Sequence, residues 1–218
     1  MKELAPGLWQ LRGFPPQGIN VYLMGDVLVD AATRRAGGRI FRQLEGRTVN
    51  AHALTHAHPD HQGASKEMCE KLGIPLWCGE RDVHAMENGD FGQKDHWVNS
   101  MLTRAWAGPP RKVDRPLREG DEVGGFAVLD VPGHSAGHVA YWRASDRVLV
   151  LGDVLNNMNV LTGLPGLHEP KEIFTPDPAR NRESARRLAA LDPALVCFGH
   201  GAPLRDPKKL REFVAGLA

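Results

Sequence analysis

Hydrophobic positions along the chain fall in short runs that stop at glycine, proline or aspartate, with stretches of helical spacing between them. "INVYLM" and "VLVDAA" flank Gly25-Asp26 and predict the two strands of a hairpin. In "TRRAGGRIFRQLEG", Ile40, Phe41 and Leu44 stand at helical spacing, and Gly46 is a stop. "VNAHALT" predicts a strand, and "GASKEMCEKLG" a helix that buries Met68, Cys69 and Leu72 and ends at Gly73. The intervening "THAHPDH" therefore lies on a strand-to-helix loop, where side chains from separate elements converge while a sheet holds them in place.

The second half repeats this grammar. "FAVLDVPGHSAGHVAYWR", "RVLVLGDVL" and "ALVCFGHG" are apolar runs that meet glycine next to histidine or aspartate. A helix starting near Asp177-Pro178 carries Ala185, Leu188 and Leu191. A closing helix, capped by Asp206 with Pro207 in its first turn, carries Leu210, Phe213, Val214 and Leu217. Residues 84–118 mix helix formers with a Pro109-Pro110 break and read as an inserted segment, whose Trp97, Met101 and Trp106 are expected to pack in the core, with the wall of an apolar pocket as the alternative. Residues 156–176 form a glycine- and proline-rich stretch after a polar strand end and are expected to border a pocket.

Composition adds limits rather than direction. A chain of 218 residues suits one domain, 1–218, with a sizeable core. A formal charge of +1 supplies no field that would favour nucleic acid or an anionic membrane, and "RNRESARR" and "DPKKLR" read as solvated helix faces. Cys69, Cys78 and Cys197 form no C-x-x-C pair and are odd in number, which points to a reducing compartment, the cytoplasm. No apolar run approaches the ~20 residues of a membrane span, and the N-terminus shows no signal-peptide pattern.

The candidate chemistry starts from His56 and His58, two residues apart in an extended or turning backbone, so that their side chains project to one side and can share a cation. Asp60 and His61 follow one turn later, with Pro59 fixing the bend between the pairs. Imidazole with carboxylate suits Zn, Mn or Fe and suits Ca or Mg poorly. One loop does not complete a site; His134 and His138 in "PGHSAGH", Asp153 in "LGDVL" and His200 in "FGHG" are further candidates, each beside a glycine. His52, His84 and His96 read as ordinary structural or surface histidines.

The order H-x-H-x-D-H, G-H-x-x-G-H, G-D and G-H resembles the metallo-β-lactamase-fold hydrolases, over a span from Ile19 to Gly201. The resemblance implies an α/β fold, a four-layer αββα sandwich. It implies two divalent ions, Zn before Mn or Fe, one on His56, His58 and His134 and the other on Asp60, His61 and His200, with Asp153 bridging. His138 would then support the ligands, and Asp30 would make a fold-stabilising hydrogen bond. A metal-bridging hydroxide, with Asp60 orienting it, would attack an ester-like, thioester or lactone carbonyl of a small molecule. His168, in the stretch after Asp153, is expected to touch substrate, so that His168→Ala raises KM.

Departures from the subfamilies narrow this. The best-known lactamases carry cysteine where Asp153 stands. Glyoxalase II has similar metal motifs but adds a helical glutathione-binding domain, whereas only residues 202–218 follow "FGHG". The family's lactonases usually place a tyrosine after the bridging aspartate, where "GDVLNNMN" has none. The alternatives are a single-iron persulfide dioxygenase using His56, His134 and Asp153, a phosphodiesterase, and a metal-dependent binding module without turnover.

Overall fold

The computed structural model describes residues 1–217. In chain order the first half forms β1 (Lys2–Ala5), β2 (Leu8–Gln10), β3 (Tyr22–Met24), β4 (Val27–Val29), α1 (Gly37–Leu44), β5 (Ala51–Ala53), α2 (Pro59–Gln62), α3 (Ser65–Leu72), β6 (Leu76–Gly79), α4 (Val83–Asn88), α5 (Trp97–Trp106) and β7 (Arg115–Leu117). The second half forms β8 (Glu122–Val123), β9 (Phe126–Asp130), β10 (Val139–Arg143), β11 (Val148–Gly152), β12 (Asn156–Met158), β13 (Pro165–His168), α6 (Pro178–Ala189), β14 (Leu195–Phe198) and α7 (Pro207–Ala215).

Strands β1 to β7 form one sheet in sequence order, antiparallel through β4 and parallel from β4 to β7. The second sheet runs β14-β11-β10-β9-β8, with only β14 and β11 parallel. Parallel neighbours need crossovers, and helices supply them.

Alternation along the strands sorts the side chains into layers. Tyr22, Met24, Val27 and Val29 of the first sheet meet Val128, Tyr141, Val148 and Val150 of the second in a shared core. The opposite residues Leu23 and Leu28 pack under Ile40, Leu44 and Met68 of α1 and α3. On the far side, Leu149, Leu151, Val196 and Phe198 pack under Leu188, Leu210 and Val214 of α6 and α7. The result is helix, sheet, sheet, helix, the αββα sandwich expected from the motifs. Asp177 and Asp206 cap α6 and α7 through the Arg180 and Lys209 amides. No helix among the described residues is long and apolar enough to cross a membrane.

Two readings of the pattern need correction. "VLVDAA" is not strand to its end: β4 stops at Val29, because Asp30 and Ala32 take φ of 59° and 52°, outside the extended region. Trp97, Met101 and Trp106 do not pack in the core. Asn99 is the buried residue of α5, while Trp97 is 71% exposed and Met101 51%. The reason is the position of α5, which lies across an opening rather than over a sheet. Residues 84–118 also deliver β7, the edge strand of the first sheet.

The ends of β4, β5, β11 and β14 open on one edge of the sandwich. Asp30, Thr55, Asp153 and His200 follow within two residues of those ends, so the parallel strands of both sheets deliver their polar residues to one place.

Candidate metal centre

Beyond β5 the chain bends at Thr55 and is extended again at His58 (φ −74°, ψ 157°), and α2 begins at Pro59, whose missing N–H costs nothing in a first helical turn. This change of backbone gives "THAHPDH" its two pairs. The His56 and His58 rings stand with centroids 4.6 Å apart, while Asp60 and His61 project from the helix, the His61 ring 4.1 Å from that of His56. Asp82 holds the loop in place. Its carboxylate accepts from the Ala57 amide at 3.0 Å, and also from Ser135 Oγ at 2.7 Å and the Gly137 amide at 2.6 Å, so it joins the two histidine-bearing loops.

All seven residues expected to hold metal come together. Their ligand atoms form three groups, each lying within 4.8 Å: His56, His58 and His134; His56, His61 and Asp153; Asp60, His61 and His200. Asp153 lies between the outer two, with Oδ2 3.7 Å from His134 Nε2 and 3.1 Å from His200 Nε2, and Oδ1 3.6 Å from His61 Nε2.

The surrounding hydrogen bonds decide which ring nitrogen faces the site. His61 Nδ1 donates to Asp30 Oδ2 at 2.8 Å, and His200 Nδ1 donates to the Gly18 carbonyl at 2.5 Å. Thr55 Oγ1 gives its hydrogen to Asp30, so it accepts from His56 Nδ1 at 3.0 Å. Thr175 Oγ1 likewise gives its hydrogen to the Lys171 carbonyl and accepts from His134 Nδ1 at 3.1 Å. In all four rings Nδ1 is occupied as a donor and Nε2 faces the centre, where His134 Nε2 also lies 3.0 Å from His58 Nδ1, the arrangement that orients a metal-ligating histidine. His138 differs: its Nε2 accepts the Asp153 amide at 3.3 Å, so it positions Asp153 and has no free lone pair for a cation.

Charge divides the site in two. Burial, reinforced by the neighbouring rings, holds His56 and His134 well below the ordinary imidazole pKa and keeps them neutral; burial also lowers His58. His138 is pushed down to about 3 by the same burial. Burial alone would lower His61 and His200 too, but the carboxylates overcome it. Asp30, Asp153 and Asp60 raise His61 well above its ordinary value, and Asp153 and Asp60 carry His200 up to about 10. Burial opposes ionisation of Asp60 and Asp153, yet both are held well below the usual carboxylate range by His61 and His200. Protons on His61 and His200 thus occupy the positions where a cation would sit among these carboxylates, and cation binding displaces them.

The residues fit a divalent metal. His56 Nε2, His58 Nε2, His61 Nε2 and Asp153 Oδ1 are buried without a hydrogen-bond partner, a cluster of polar atoms that is costly unless a cation satisfies it. Imidazoles with carboxylates are the donor set of Zn, Mn or Fe.

Sequence reasoning missed Thr55, Asp82 and Thr175, which bond the ligands and their loops from separate parts of the chain. Thr175→Val removes the acceptor of the His134 Nδ1 hydrogen at nearly constant volume. It is expected to weaken metal binding by about 10- to 100-fold with the fold intact, as read by competition against a chromophoric chelator; unchanged affinity would show that His134 needs no such partner. Asp30 has the structural role expected of it, accepting from the Thr55 amide and hydroxyl and from His61. His52 is also structural, bonded to the Leu28 carbonyl and Ser65 Oγ.

The centre opens into a cavity of about 380 Å³ lined by His58, Asp60, His134, Asp153 and His200 and by side chains of α5, residues 156–161 and residues 170–174. The stretch 156–176 therefore borders it in part. His168 is not among the lining residues. Strand alternation on β13 sends Leu167 into the core beneath α6 and α7 and turns His168 to the other face, so the expected substrate contact is absent from this cavity wall.

Comparison with known proteins agrees with this geometry. Residues 14–200 match the family model of the metallo-beta-lactamase superfamily. The probable metallo-hydrolase YflN of Bacillus subtilis is 30% identical, across 99% of this chain and 91% of its own. A hydroxyacylglutathione hydrolase of Fuscovulum blasticum is 31% identical across 67% of this chain and 46% of its own. The crystal structure of TTHA1623 in a di-iron-bound form superposes with a TM-score of 0.64 at 29% identity, covering 93% of this chain and 92% of that one.

Proposed function

The chain belongs to the metallo-β-lactamase superfamily and is a metal-dependent hydrolase, and from that premise we propose that it uses two divalent ions to hydrolyse an ester-like, thioester or lactone carbonyl of a small molecule. The observation that carries this reading is the set of four histidines whose Nδ1 atoms are occupied by outer acceptors and whose Nε2 atoms converge.

His56, His58 and His134 would hold one ion, Asp60, His61 and His200 the other, and Asp153 would bridge. Zn suits this histidine-rich set, with Mn or Fe as alternatives; the di-iron form of TTHA1623 supports the iron option. Divalent ions in such a site supply Lewis acidity, polarising a carbonyl and lowering the pKa of water. The chain's own groups do the rest. Asp60 lines the cavity with 18% of its side chain exposed, placing it to orient the attacking water. The other histidines and Asp153 are almost fully buried, which keeps the polar interactions strong. A thioester carbonyl gains support from the hydroxyacylglutathione hydrolase relative, although this chain spans under half of that protein.

A single iron on His56, His134 and Asp153 would leave the Asp60, His61 and His200 group without a task, which favours the hydrolase over the dioxygenase. Arg180, Arg182 and Arg187 of α6 pair with Glu183, Glu169 and Glu119, which supports a small-molecule substrate rather than RNA. The unpaired, buried Cys69, Cys78 and Cys197 support a cytoplasmic site of action.

Removal of metal with a strong chelator is expected to take hydrolysis of a panel of esters, thioesters and lactones to background, and adding back Zn, Mn or Fe to restore it. Undiminished turnover by metal-free protein would refute the reading.

A further inference from the structure

The wall of the cavity carries information about the substrate that the metal centre does not. Helix α5 has an apolar stripe, Val98, Met101, Leu102 and Trp106, at the spacing that ordinarily faces a core. Here the stripe lines the cavity, and none of its members is buried. The same cavity is lined by a second apolar group, Leu161, 65% exposed, and Phe174. Large apolar side chains left unburied along one cleft are costly unless something apolar covers them.

The two groups are tied together by a polar contact. Asn99 Nδ2 donates to the Ile173 carbonyl at 2.7 Å and to the Lys94 carbonyl at 2.7 Å, so α5 is fixed to the turn that carries Phe174 without spending its apolar stripe on packing. The Trp106 carbonyl accepts the Arg34 amide at 2.9 Å and anchors the other end of the helix. The stripe is thus held open, facing the cleft, by hydrogen bonds at both ends. Apart from the metal-centre groups, the charged side chain on the wall is Lys171.

We propose that the substrate carries an apolar chain at its hydrolysable carbonyl group, seated between Met101, Leu102 and Trp106 of α5 and Leu161 and Phe174. This rests on the hydrolase reading above and specifies the substrate class of the same site. The metal centre meets the carbonyl group; the cleft selects what is attached to it.

The test uses metal-loaded protein and two series of substrates, alkanoyl thioesters from acetyl to octanoyl and alkyl esters from methyl to octyl. Each methylene that enters the cleft is expected to raise kcat/KM by about three- to fourfold in at least one series. The double variant Met101→Asn, Leu102→Asn is expected to cut the octyl-to-shortest ratio at least tenfold, with circular dichroism confirming the fold. Calorimetric titration with butanoate, hexanoate and octanoate reads the cleft without turnover and is expected to show the same rise in affinity. Hydrolysis with flat dependence on chain length in both series would overturn the proposal and leave the hydrolase reading standing. If no compound is hydrolysed, the hydrolase reading fails and calorimetry decides: affinity rising with length supports the apolar cleft, and flat or absent binding overturns it.

Discussion

Asp153→Asn is expected to lose bound metal and hydrolytic activity together, activity by more than about 100-fold, the upper end of what removal of a mere outer hydrogen bond costs a metal site. Asn preserves volume, so the fold is expected to survive and circular dichroism to be unchanged. What changes is charge and donor count. Asp153 oxygens face His61, His134 and His200 at 3.1 to 3.7 Å, so the carboxylate is adjacent to both halves of the site. An amide supplies one weak acceptor and turns an NH2 toward nitrogens that need a cation. Elemental analysis of the purified variant beside a rate on the best substrate checks this. A variant that kept its full metal content and the full rate would remove Asp153 from the centre.

Gly199→Ala is expected to have an effect of similar size by a different route. A Cβ there would lie 1.9 Å from Asp153 Oδ1 and 2.7 Å from His61 Cε1, so the methyl group enters the space of two proposed ligands. The backbone has little room to yield. The Gly199 amide donates to the Gly152 carbonyl and its carbonyl accepts the Asn20 amide, both at 2.8 Å. The side chains must therefore move, with a stability cost of about 1–3 kcal/mol for overpacking and a larger loss in metal affinity. Gly38→Ala is the control. Its new Cβ meets only Arg42 Nη1 at 3.8 Å on α1, and it is expected to stabilise by about 0.5–1 kcal/mol. Equal metal content in the two variants would contradict the proposed packing of the centre.

The residues that come together at the centre were legible in the sequence because they are locally dense. Four of the seven lie in "THAHPDH", and each of the others follows an apolar run beside a glycine that permits close approach. Layer order was legible for a related reason: alternation along β3, β4, β10 and β11 assigns each side chain to a face, and helical spacing in α1, α6 and α7 supplies the covers. The supports were not. Asp82, Thr175 and Asn20 each stand alone in unremarkable contexts, and their task appears only when the chain brings Asp82 to the His134 loop, Thr175 to His134, and Asn20 to the end of β14. Helix α5 misled for a physical reason. An apolar stripe on a helix reads the same whether it covers a core or a cleft, and only the three-dimensional position of Met101 and Trp106 separates the two. His168 shows the same limit on a strand, where one residue of register decides between the core, which Leu167 enters, and the opposite face.

The most direct test of two ions on one centre is metal stoichiometry in protein expressed with both iron and zinc available, measured by elemental analysis on fully active material. About two ions per chain is the predicted result. A fully active protein holding one ion, or none, would contradict it.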